Sequence, residues 1–301
     1  MKAIFIDCNE QLGAVGKQVL RRDDPRIAIN TTSFTREELP RVVGDHDIVI
    51  DDHSYMPTDL VAQCKNLKHI VFLGTGASSY MNVAEIEALG IKVHTIKGYG
   101  DTAVAEHTIA LMMTCCRDLL RMDRAMRAGA WRPLEGVQIF GKTLGIIGLG
   151  GIGAEVARMA GGMGMRVTAW NRTPQPNSAV PLVELDALLA TSDVVTLHLV
   201  LNDETRGFLN HKRIARLKPG VILVNTARGA LIEEGPLIDA LRSGHIRRAG
   251  FDVFHSEPLK PDHPLAKLEN VTLSAHAAFR TLEASMTLLR RAIDIVKAVK
   301  S

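Results

Sequence analysis

TLGIIGLGGIG, residues 143–153, is the stretch that decides the fold. Thr143–Ile147 is an apolar run with the length of a buried strand, and a stretch of helical period follows over Ile152–Gly161. Between them, Gly148, Gly150 and Gly153 have the spacing GxGxxG. In such a loop the first glycine permits a tight turn, the second lets the backbone approach a pyrophosphate, and the third lets the helix pack closely on the strand. The alternative is a turn with a purely structural role. The loop predicts a dinucleotide site formed by Gly148, Gly150, Gly151, Ile152 and Gly153.

The alternation of an apolar run, a turn and a helical stretch extends in both directions from this loop. Such an order is typical of parallel sheets with helices on both faces, so we predict an α/β protein with two doubly wound parallel sheets. The first boundary is expected near Ile96–Gly100 and the second around Phe279–Thr281. The predicted strands are Ala3–Ile6, Arg26–Ile29, Ile48–Ile50, His69–Leu73, Ile91–Ile96, Thr143–Ile147, Arg166–Trp170, Val194–Leu199, Val221–Val224, Arg248–Phe251 and Val271–Ser274. The predicted helices are Pro57–Asn66, Asn82–Leu89, one long helix over Ala103–Ala128, Ile152–Gly161, Leu182–Ala190, His211–Arg216, Gly235–Arg242 and Thr281–Lys300.

The composition narrows the possible functions. The chain has 301 residues, 46% hydrophobic and 23% charged, which is ordinary for a globular protein and long enough for two domains. A formal net charge of +3 without a dense Lys/Arg block does not favour binding to nucleic acid. The four cysteines show no CxxC spacing, so we predict no disulfide framework and no metal site. The apolar runs are too short for a membrane span, and we expect a soluble, cytoplasmic protein.

Chemically capable side chains follow three predicted strands of the second half. Arg228, Asp252 and His276 each come just after a strand, and Glu257 lies in the loop after Asp252. Since parallel strands end at one edge of a sheet, we expect these groups to converge there. An arginine could bind the carboxylate of a keto acid, a histidine could supply a proton, and a carboxylate could hold the imidazole and favour its charged form. Each residue alone would more often be a surface or structural group.

The end of the strand after the glycine loop bears on the choice of cofactor. An NAD site usually has Asp or Glu there to bind the ribose hydroxyl, but this chain has Asn171, Arg172 and Thr173. A carboxylate would repel a 2′-phosphate, whereas a guanidinium binds it as a fork. We therefore predict that NADP(H) is preferred, with Arg172 as the main determinant, and that NAD(H) is possible. The alternative is that Arg172 is a solvated turn residue.

Four segments together resemble one family. GKTLGIIGLGGIG (141–153), VNTARGALI (224–232), AGFDVFHSEPL (249–259) and SAHAAF (274–279) are similar, in order and spacing, to the D-isomer-specific 2-hydroxyacid dehydrogenases. The resemblance covers essentially the whole second domain. It implies a Rossmann dinucleotide-binding domain over residues 99–281. It also implies a smaller, flavodoxin-like substrate domain formed by residues 1–98 and completed by the C-terminal helix, 282–301.

The resemblance also implies roles for individual residues. Arg228, Glu257 and His276 match the catalytic trio, and Asp252 matches the residue that holds the nicotinamide carboxamide. Thr226 and Ala227 would lie along the cofactor. LGTGAS (73–78) is similar to the loop whose backbone N–H groups bind the substrate carboxylate, so Gly76 and Ala77 are expected substrate-binding residues, together with Arg228 and His276.

Two features of the family bear on substrate and assembly. The Asn-Arg sequence at 171–172 is similar to that of NADPH-using glyoxylate and hydroxypyruvate reductases. A small 2-keto or 2-hydroxy acid is therefore the expected substrate, and a homodimer is expected by resemblance alone. Two alternatives remain open. One is an NAD-using dehydrogenase, and the other is a nucleotide-sensing, corepressor-like binding protein without turnover.

Overall fold

The computed structural model describes residues 1–173 and 178–300. The chain divides into a smaller unit, Met1–Gly100 with the chain from Arg280 onwards, and a larger unit, Asp101–Phe279. The strands are β1 (Ala3–Phe5), β2 (Ile27–Ile29), β3 (Ile48–Asp51), β4 (His69–Phe72), β5 (Lys92–Thr95), β6 (Thr143–Ile147), β7 (Arg166–Trp170), β8 (Val194–Leu197), β9 (Val221–Asn225), β10 (Ile246–Phe251) and β11 (Val271–Leu273). The helices are α1 (Glu10–Val19), α2 (Leu39–Val43), α3 (Thr58–Val61), α4 (Val83–Ala88), α5 (Asp101–Arg117), α6 (Leu119–Arg127), α7 (Gly151–Gly162), α8 (Leu185–Thr191), α9 (His211–Arg216), α10 (Glu234–Ser243), α11 (Pro264–Lys267) and α12 (Leu282–Lys300).

The smaller unit is a five-stranded parallel sheet with the order β2-β1-β3-β4-β5. This is the strand order of flavodoxin-like folds. The central strands β1 and β3 are buried along their whole length, because apolar side chains cover both faces of the sheet. Helix α12 brings Leu288, Leu289 and Ala292 from the end of the chain into the core on the face that α1 also covers.

The larger unit is a six-stranded parallel sheet with the order β11-β10-β9-β8-β6-β7. The chain order reverses between β6 and β8, and in open α/β sheets ligands bind beyond the strand ends at this switch point. Both sheets are parallel with helices on both faces, so the predicted fold class is confirmed.

The predicted long helix over Ala103–Ala128 is wrong as a single element. The structure ends α5 at Arg117 and begins α6 at Leu119, because Asp118 has a left-handed backbone with φ of +56°. The Asp118 carboxylate accepts a hydrogen bond from the buried Arg248 guanidinium at 2.5 Å. A buried charge needs a partner, and the ion pair with Arg248 coincides with the break at Asp118. The sequence pattern by itself favours one continuous helix.

Smaller differences concern the bounds of elements, such as α3, which ends at Val61 rather than at the predicted Asn66, and helices that the sequence pattern did not predict, among them α2 and α11. Helix α8 begins at Leu185 rather than at the predicted Leu182, because Leu182 instead forms a parallel bridge with Ala169 of β7. Helix α1 was not predicted, since Gly13 and Gly16 lower helix propensity there. Among the helices over residues 1–173 and 178–300, none is long and apolar enough to cross a membrane.

Candidate active site

The glycine loop connects β6 to α7, as the spacing predicts. Gly148 has φ of +99°, and a Cβ there would lie 2.9 Å from the carbonyl oxygen of His198. A Cβ at Gly153 would lie 2.2 Å from the carbonyl oxygen of Gly148. At Gly150, in contrast, no atom lies within 4 Å of the Cβ position. The first and third glycines are therefore required by packing, and the second faces open space.

The open side of this loop fits a dinucleotide pyrophosphate. Helix α7 begins at Gly151 with no side-chain cap, so its first backbone N–H groups, including those of Ile152 and Gly153, are available to an anion. A Cβ at Gly151 would lie 1.9 Å from an oxygen of the Asp101 carboxylate, so a side chain is excluded here too. These residues could hold the cofactor phosphates.

The residues after β7 form a compact turn. The Asn171 side-chain oxygen accepts a hydrogen bond from the Leu149 N–H at 3.3 Å, and its amide donates to the Thr173 carbonyl at 2.9 Å. Asn171 therefore ties the turn to the glycine loop without a carboxylate. Arg172 is exposed, and its guanidinium forms an ion pair with Glu204 in the loop after β8. Sequence reasoning missed Glu204, because Glu204 lies 32 positions away from Arg172 in the chain.

His276 and Glu257 form a hydrogen-bonded pair. His276 Nδ1 lies 2.6 Å from Glu257 Oε2, and Glu257 Oε1 accepts the Phe254 N–H at 2.9 Å. Burial raises the pKa of Glu257, but the hydrogen bonds from His276 and Phe254 and the positive charges of His276 and Arg228 together bring it below its ordinary value. Because an ionised carboxylate only accepts, Nδ1 carries the shared proton, and Nε2 is the ring atom that can exchange a proton with a reactant.

Asp252 organises the backbone around His276. Its carbonyl accepts the His276 N–H at 2.8 Å, and its buried carboxylate accepts the N–H groups of Ala277 at 3.0 Å and Ala278 at 2.9 Å. Burial raises the pKa of Asp252, yet hydrogen bonds from His107, Ser274 and these two N–H groups lower it more, so the carboxyl group is ionised. His276 has φ of +48°, a conformation that is uncommon outside glycine but enriched for histidine.

Arg228 lies on the turn that follows β9. The Asn225 side chain shapes this turn, since its oxygen accepts the Ala227 N–H and its amide donates to the Arg228 carbonyl, both at 2.9 Å. A Cβ at Gly229 would lie 2.1 Å from the Phe254 carbonyl carbon, so the turn packs directly on the loop that carries Glu257. Asn225 is a positioning residue that sequence reasoning missed, although it stands at the predicted strand end.

Thr226 joins the same turn to helix α5. Its hydroxyl lies 2.8 Å from that of Thr108, whose own proton goes to the Val104 carbonyl at 2.8 Å. Thr226 is therefore the donor of this pair, because one hydroxyl has one proton to give. Arg228 follows β9, Glu257 lies in the loop after β10, and His276 follows β11, so the larger unit holds all three residues beyond the same ends of neighbouring strands.

The predicted substrate loop lies in the smaller unit, after β4. Gly76 precedes a short turn of 3₁₀-helix over Ala77–Ser79, and Ala77 is buried. On a neighbouring loop, the His53 ring packs edge-on against Tyr80, and its Nδ1 lies 2.8 Å from an oxygen of Asp52.

A carboxylate that sequence reasoning missed fixes that neighbouring loop. Asp7 accepts the N–H groups of Asp52, His53 and Ser54 at 2.9–3.0 Å. The only sequence signal is its place at the end of the first strand. No group of three or more potential ligands for a metal ion occurs over residues 1–173 and 178–300.

Comparison with known proteins identifies the larger unit. Residues 109–278 match the family described as "D-isomer specific 2-hydroxyacid dehydrogenase, NAD binding domain". This match covers more than half of the chain and includes the glycine loop, Arg228, Glu257 and His276.

Three similar proteins illustrate the relationship. A D-3-phosphoglycerate dehydrogenase of Archaeoglobus fulgidus is 36% identical over 93% of this chain, but the match spans only 54% of that longer protein. A hydroxypyruvate reductase of Blautia hydrogenotrophica is 35% identical over 89% of this chain and 87% of its own length. The solved structure of the acyclic imino acid reductase Bsp5 in complex with NADPH and D-Arg has a TM-score of 0.87 and 26% identity, over 100% of this chain and 97% of that one.

Proposed function

This chain belongs to the D-isomer specific 2-hydroxyacid dehydrogenase family of oxidoreductases, and we propose that it reduces a small 2-keto acid to a D-2-hydroxy acid with NADPH as the preferred cofactor. The observation that carries this proposal is the 2.6 Å contact between His276 Nδ1 and Glu257 Oε2 at the sheet edge that also holds Arg228. A dyad of this kind presents a proton donor whose charged form is stabilised by its partner.

The chain's own residues have separate tasks in this reaction. When bound, the reduced nicotinamide supplies a hydride to the carbonyl carbon of the keto acid. Protonated His276 gives a proton from Nε2 to the carbonyl oxygen, where negative charge develops, while Glu257 stabilises the imidazolium. Arg228 binds the substrate carboxylate and polarises the carbonyl, and Gly76 and Ala77, in the smaller unit, are further proposed substrate-binding residues. In the reverse oxidation, neutral His276 accepts the hydroxyl proton.

The glycine loop and the turn after β7 support the cofactor preference. Gly148, Gly150, Gly151, Ile152 and Gly153 would hold the pyrophosphate, and Asn171, Arg172 and Thr173 would surround the ribose 2′ position. Thr226, Ala227 and Asp252 would lie along the nicotinamide half. The similar protein Bsp5 was solved with NADPH. The ion pair between Arg172 and Glu204 favours a second candidate, an NAD-using enzyme, because a 2′-phosphate must compete with Glu204 for the guanidinium.

Steady-state kinetics test both parts of the proposal. Glyoxylate, hydroxypyruvate, pyruvate and phenylpyruvate are compared by the loss of reduced-nicotinamide absorbance, with NADPH and with NADH. We expect turnover of at least one keto acid and a higher kcat/KM with NADPH. Absence of turnover with every acid would contradict the enzyme assignment, and a higher kcat/KM with NADH would favour the second candidate.

Removing Arg172 tests the basis of the preference. Arg172→Ser should lower kcat/KM for NADPH about tenfold or more, since a hydrogen-bonded charge contributes roughly 1.5–3 kcal/mol, and leave NADH nearly unchanged. Arg216→Ser is the matched control, because Arg216 is also exposed and paired with a carboxylate, that of Asp186. An equal effect of Arg172→Ser on both cofactors would contradict this role.

We also propose that the protein forms a homodimer. The larger unit exposes Leu119, Leu120 and Met126 on α6, and Trp131 after it is 85% exposed. Large apolar side chains exposed on consecutive turns are typical of a surface that another protein covers. The mass of one chain is 32.8 kDa, and light scattering should give twice that mass. A monomer at micromolar concentration would contradict this proposal.

A further inference from the structure

A chain of hydrogen bonds runs from helix α5 to the segment that carries His276, entirely within the larger unit. His107 Nε2, on α5, lies 2.9 Å from Ser274 Oγ, just after β11. Ser274 Oγ in turn lies 2.6 Å from Asp252 Oδ1, just after β10. His107 Nε2 is 3.5 Å from the same carboxylate oxygen. Three separate elements of the fold therefore meet at one buried carboxylate.

The chemistry of these groups fixes the direction of each hydrogen bond. The Asp252 carboxylate is ionised and can only accept, so Ser274 must give its single hydroxyl proton to Oδ1. The Ser274 oxygen then has only lone pairs to offer His107. Nε2 of His107 must therefore carry a proton and donate it, which excludes the neutral tautomer that is protonated on Nδ1 alone.

The carboxylate at the end of this chain holds the backbone beside His276. Oδ1 accepts the Ala277 N–H as well as the Ser274 hydroxyl, and Oδ2 accepts the Ala278 N–H. The peptide immediately before these two N–H groups belongs to His276, whose φ is +48°. An uncommon backbone conformation persists only when its surroundings hold it, and here the next two N–H groups are fixed by Asp252.

We propose that Ser274 and His107 are positioning residues for His276. By donating to Asp252 in series, they keep its carboxylate oriented toward the N–H groups of Ala277 and Ala278, and so keep the imidazole aimed at the reacting carbonyl. This inference rests on the proposed function, because it concerns the orientation of the proton donor. Neither residue need touch substrate or cofactor to act in this way.

The chemistry of a buried carboxylate explains why the loss of one hydroxyl matters. Without the Ser274 hydroxyl, the Ala277 N–H is the donor that stays close to Oδ1, while His107 Nε2 lies farther away at 3.5 Å, and a buried charge that loses a donor is less stable. Asp252 would then rotate or become protonated, and either change weakens its hold on the two N–H groups. A displacement of about 1 Å in a catalytic group can lower a rate roughly 100-fold.

Ser274→Ala and Ser274→Thr test the proposal together. In the cofactor-free protein, hydrogen exchange of the Ala277 and Ala278 amides should be at least about tenfold faster in Ser274→Ala and close to wild type in Ser274→Thr. With NADPH and the best keto acid, Ser274→Ala should lower kcat roughly 10- to 100-fold and change KM for either substrate less than about threefold. Ser274→Thr should restore most of kcat, because it retains the hydroxyl.

Ser192→Ala is the matched control. Ser192 also lies in the larger unit, and its buried hydroxyl donates to the Leu188 carbonyl at 2.7 Å, at the opposite edge of the sheet from His276. The Ser192→Ala variant removes a comparable hydrogen bond, so it should alter thermal stability without changing kcat or the hydrogen exchange of the Ala277 and Ala278 amides. An equal loss of kcat in both serine variants would show a general effect of destabilisation and overturn the proposal.

His107 gives an independent check. Gln can still donate a hydrogen bond to Ser274, whereas Leu cannot, so His107→Gln should retain more kcat than His107→Leu. Unchanged amide exchange in Ser274→Ala, or faster exchange with wild-type kcat, would overturn the positioning role. A wild-type protein that turns over no keto acid would refute the proposed function instead, and the exchange result would still decide whether Ser274 holds this segment.

Discussion

Glu257→Gln isolates the charge of the dyad while keeping its shape. In the native site, Glu257 accepts from two donors, His276 Nδ1 at 2.6 Å and the Phe254 N–H at 2.9 Å. A glutamine has one acceptor oxygen, so it can satisfy only one of them and must turn its NH₂ group toward the other. If the amide faces Nδ1 as a donor, a neutral imidazole carries its proton on Nε2 and cannot act as the base in the oxidation.

The size of the effect follows from the kind of hydrogen bond lost. A hydrogen bond to a charged group contributes about 1.5–3 kcal/mol and a neutral one about 0.5–1.5 kcal/mol. The difference between the two ranges is centred near about 1.3 kcal/mol, and because the Glu257 side chain is 34% exposed, solvent screening keeps the expected loss at about 0.5–1.5 kcal/mol. That corresponds to a kcat roughly 2- to 13-fold below wild type.

The assay is stopped-flow reduction of a keto acid at saturating NADPH, followed by nicotinamide absorbance from pH 5.5 to 9. Reduction by Glu257→Gln should be slower than in wild type across this range, since the variant has no carboxylate to stabilise the imidazolium. The affinity for NADPH should change less than about threefold, because Glu257 lies in the loop after β10, whereas the glycine loop follows β6, and β9 and β8 lie between these strands in the sheet.

The chain contains a close control for this variant. Glu234 and His263 also form a carboxylate–imidazole pair in the larger unit, with 3.2 Å between their atoms and side-chain exposures of 33% and 22%, against 34% and 25% for Glu257 and His276. Glu234→Gln should leave the rate and its pH dependence unchanged. A Glu257→Gln variant within twofold of the wild-type rate at every pH would refute the reasoning.

Two further predictions concern cofactor binding and stability. Gly153→Ala should weaken NADPH binding at least about tenfold in fluorescence titration, because its Cβ would lie 2.2 Å from the Gly148 carbonyl oxygen and displace the loop; unaltered affinity would contradict this. In the smaller unit, the Arg290 guanidinium binds the buried Asp24 carboxylate through two hydrogen bonds and lowers its pKa to about 2. Because this pKa is below the ordinary value of 3.8, the pair stabilises the fold above about pH 4, and that contribution is lost as the pH falls toward 2. Asp24→Asn should therefore unfold at lower urea concentration than wild type at pH 7, with a difference that shrinks toward pH 2, whereas a constant difference would argue against the ion pair.

Much of the fold could be predicted because it depends on local patterns. Short apolar runs separated by helical stretches indicate buried parallel strands, and the glycine spacing marks the turn after β6. The meeting of Arg228, Glu257 and His276 could be expected for a similar reason, since parallel strands end at one sheet edge.

What could not be predicted depends on partners far away in the sequence. The helical pattern continues through Asp118, and the break there goes with a buried arginine 130 positions later. Ser274 and Asn225 look like ordinary strand-end residues until their hydrogen bonds are seen. By its sequence position alone Arg172 could bind a phosphate, but Glu204, on another loop, already forms an ion pair with the guanidinium that the phosphate would need.

The most direct test of the central claim is His276→Asn, with NADPH affinity and the rate of hydride transfer measured on the same protein. Asparagine readily adopts a positive φ, so the backbone at +48° should be retained while the proton donor is lost. We predict an affinity for NADPH within about threefold of wild type and a rate roughly 10²- to 10⁴-fold lower. A rate close to that of the wild type would show that another group supplies the proton.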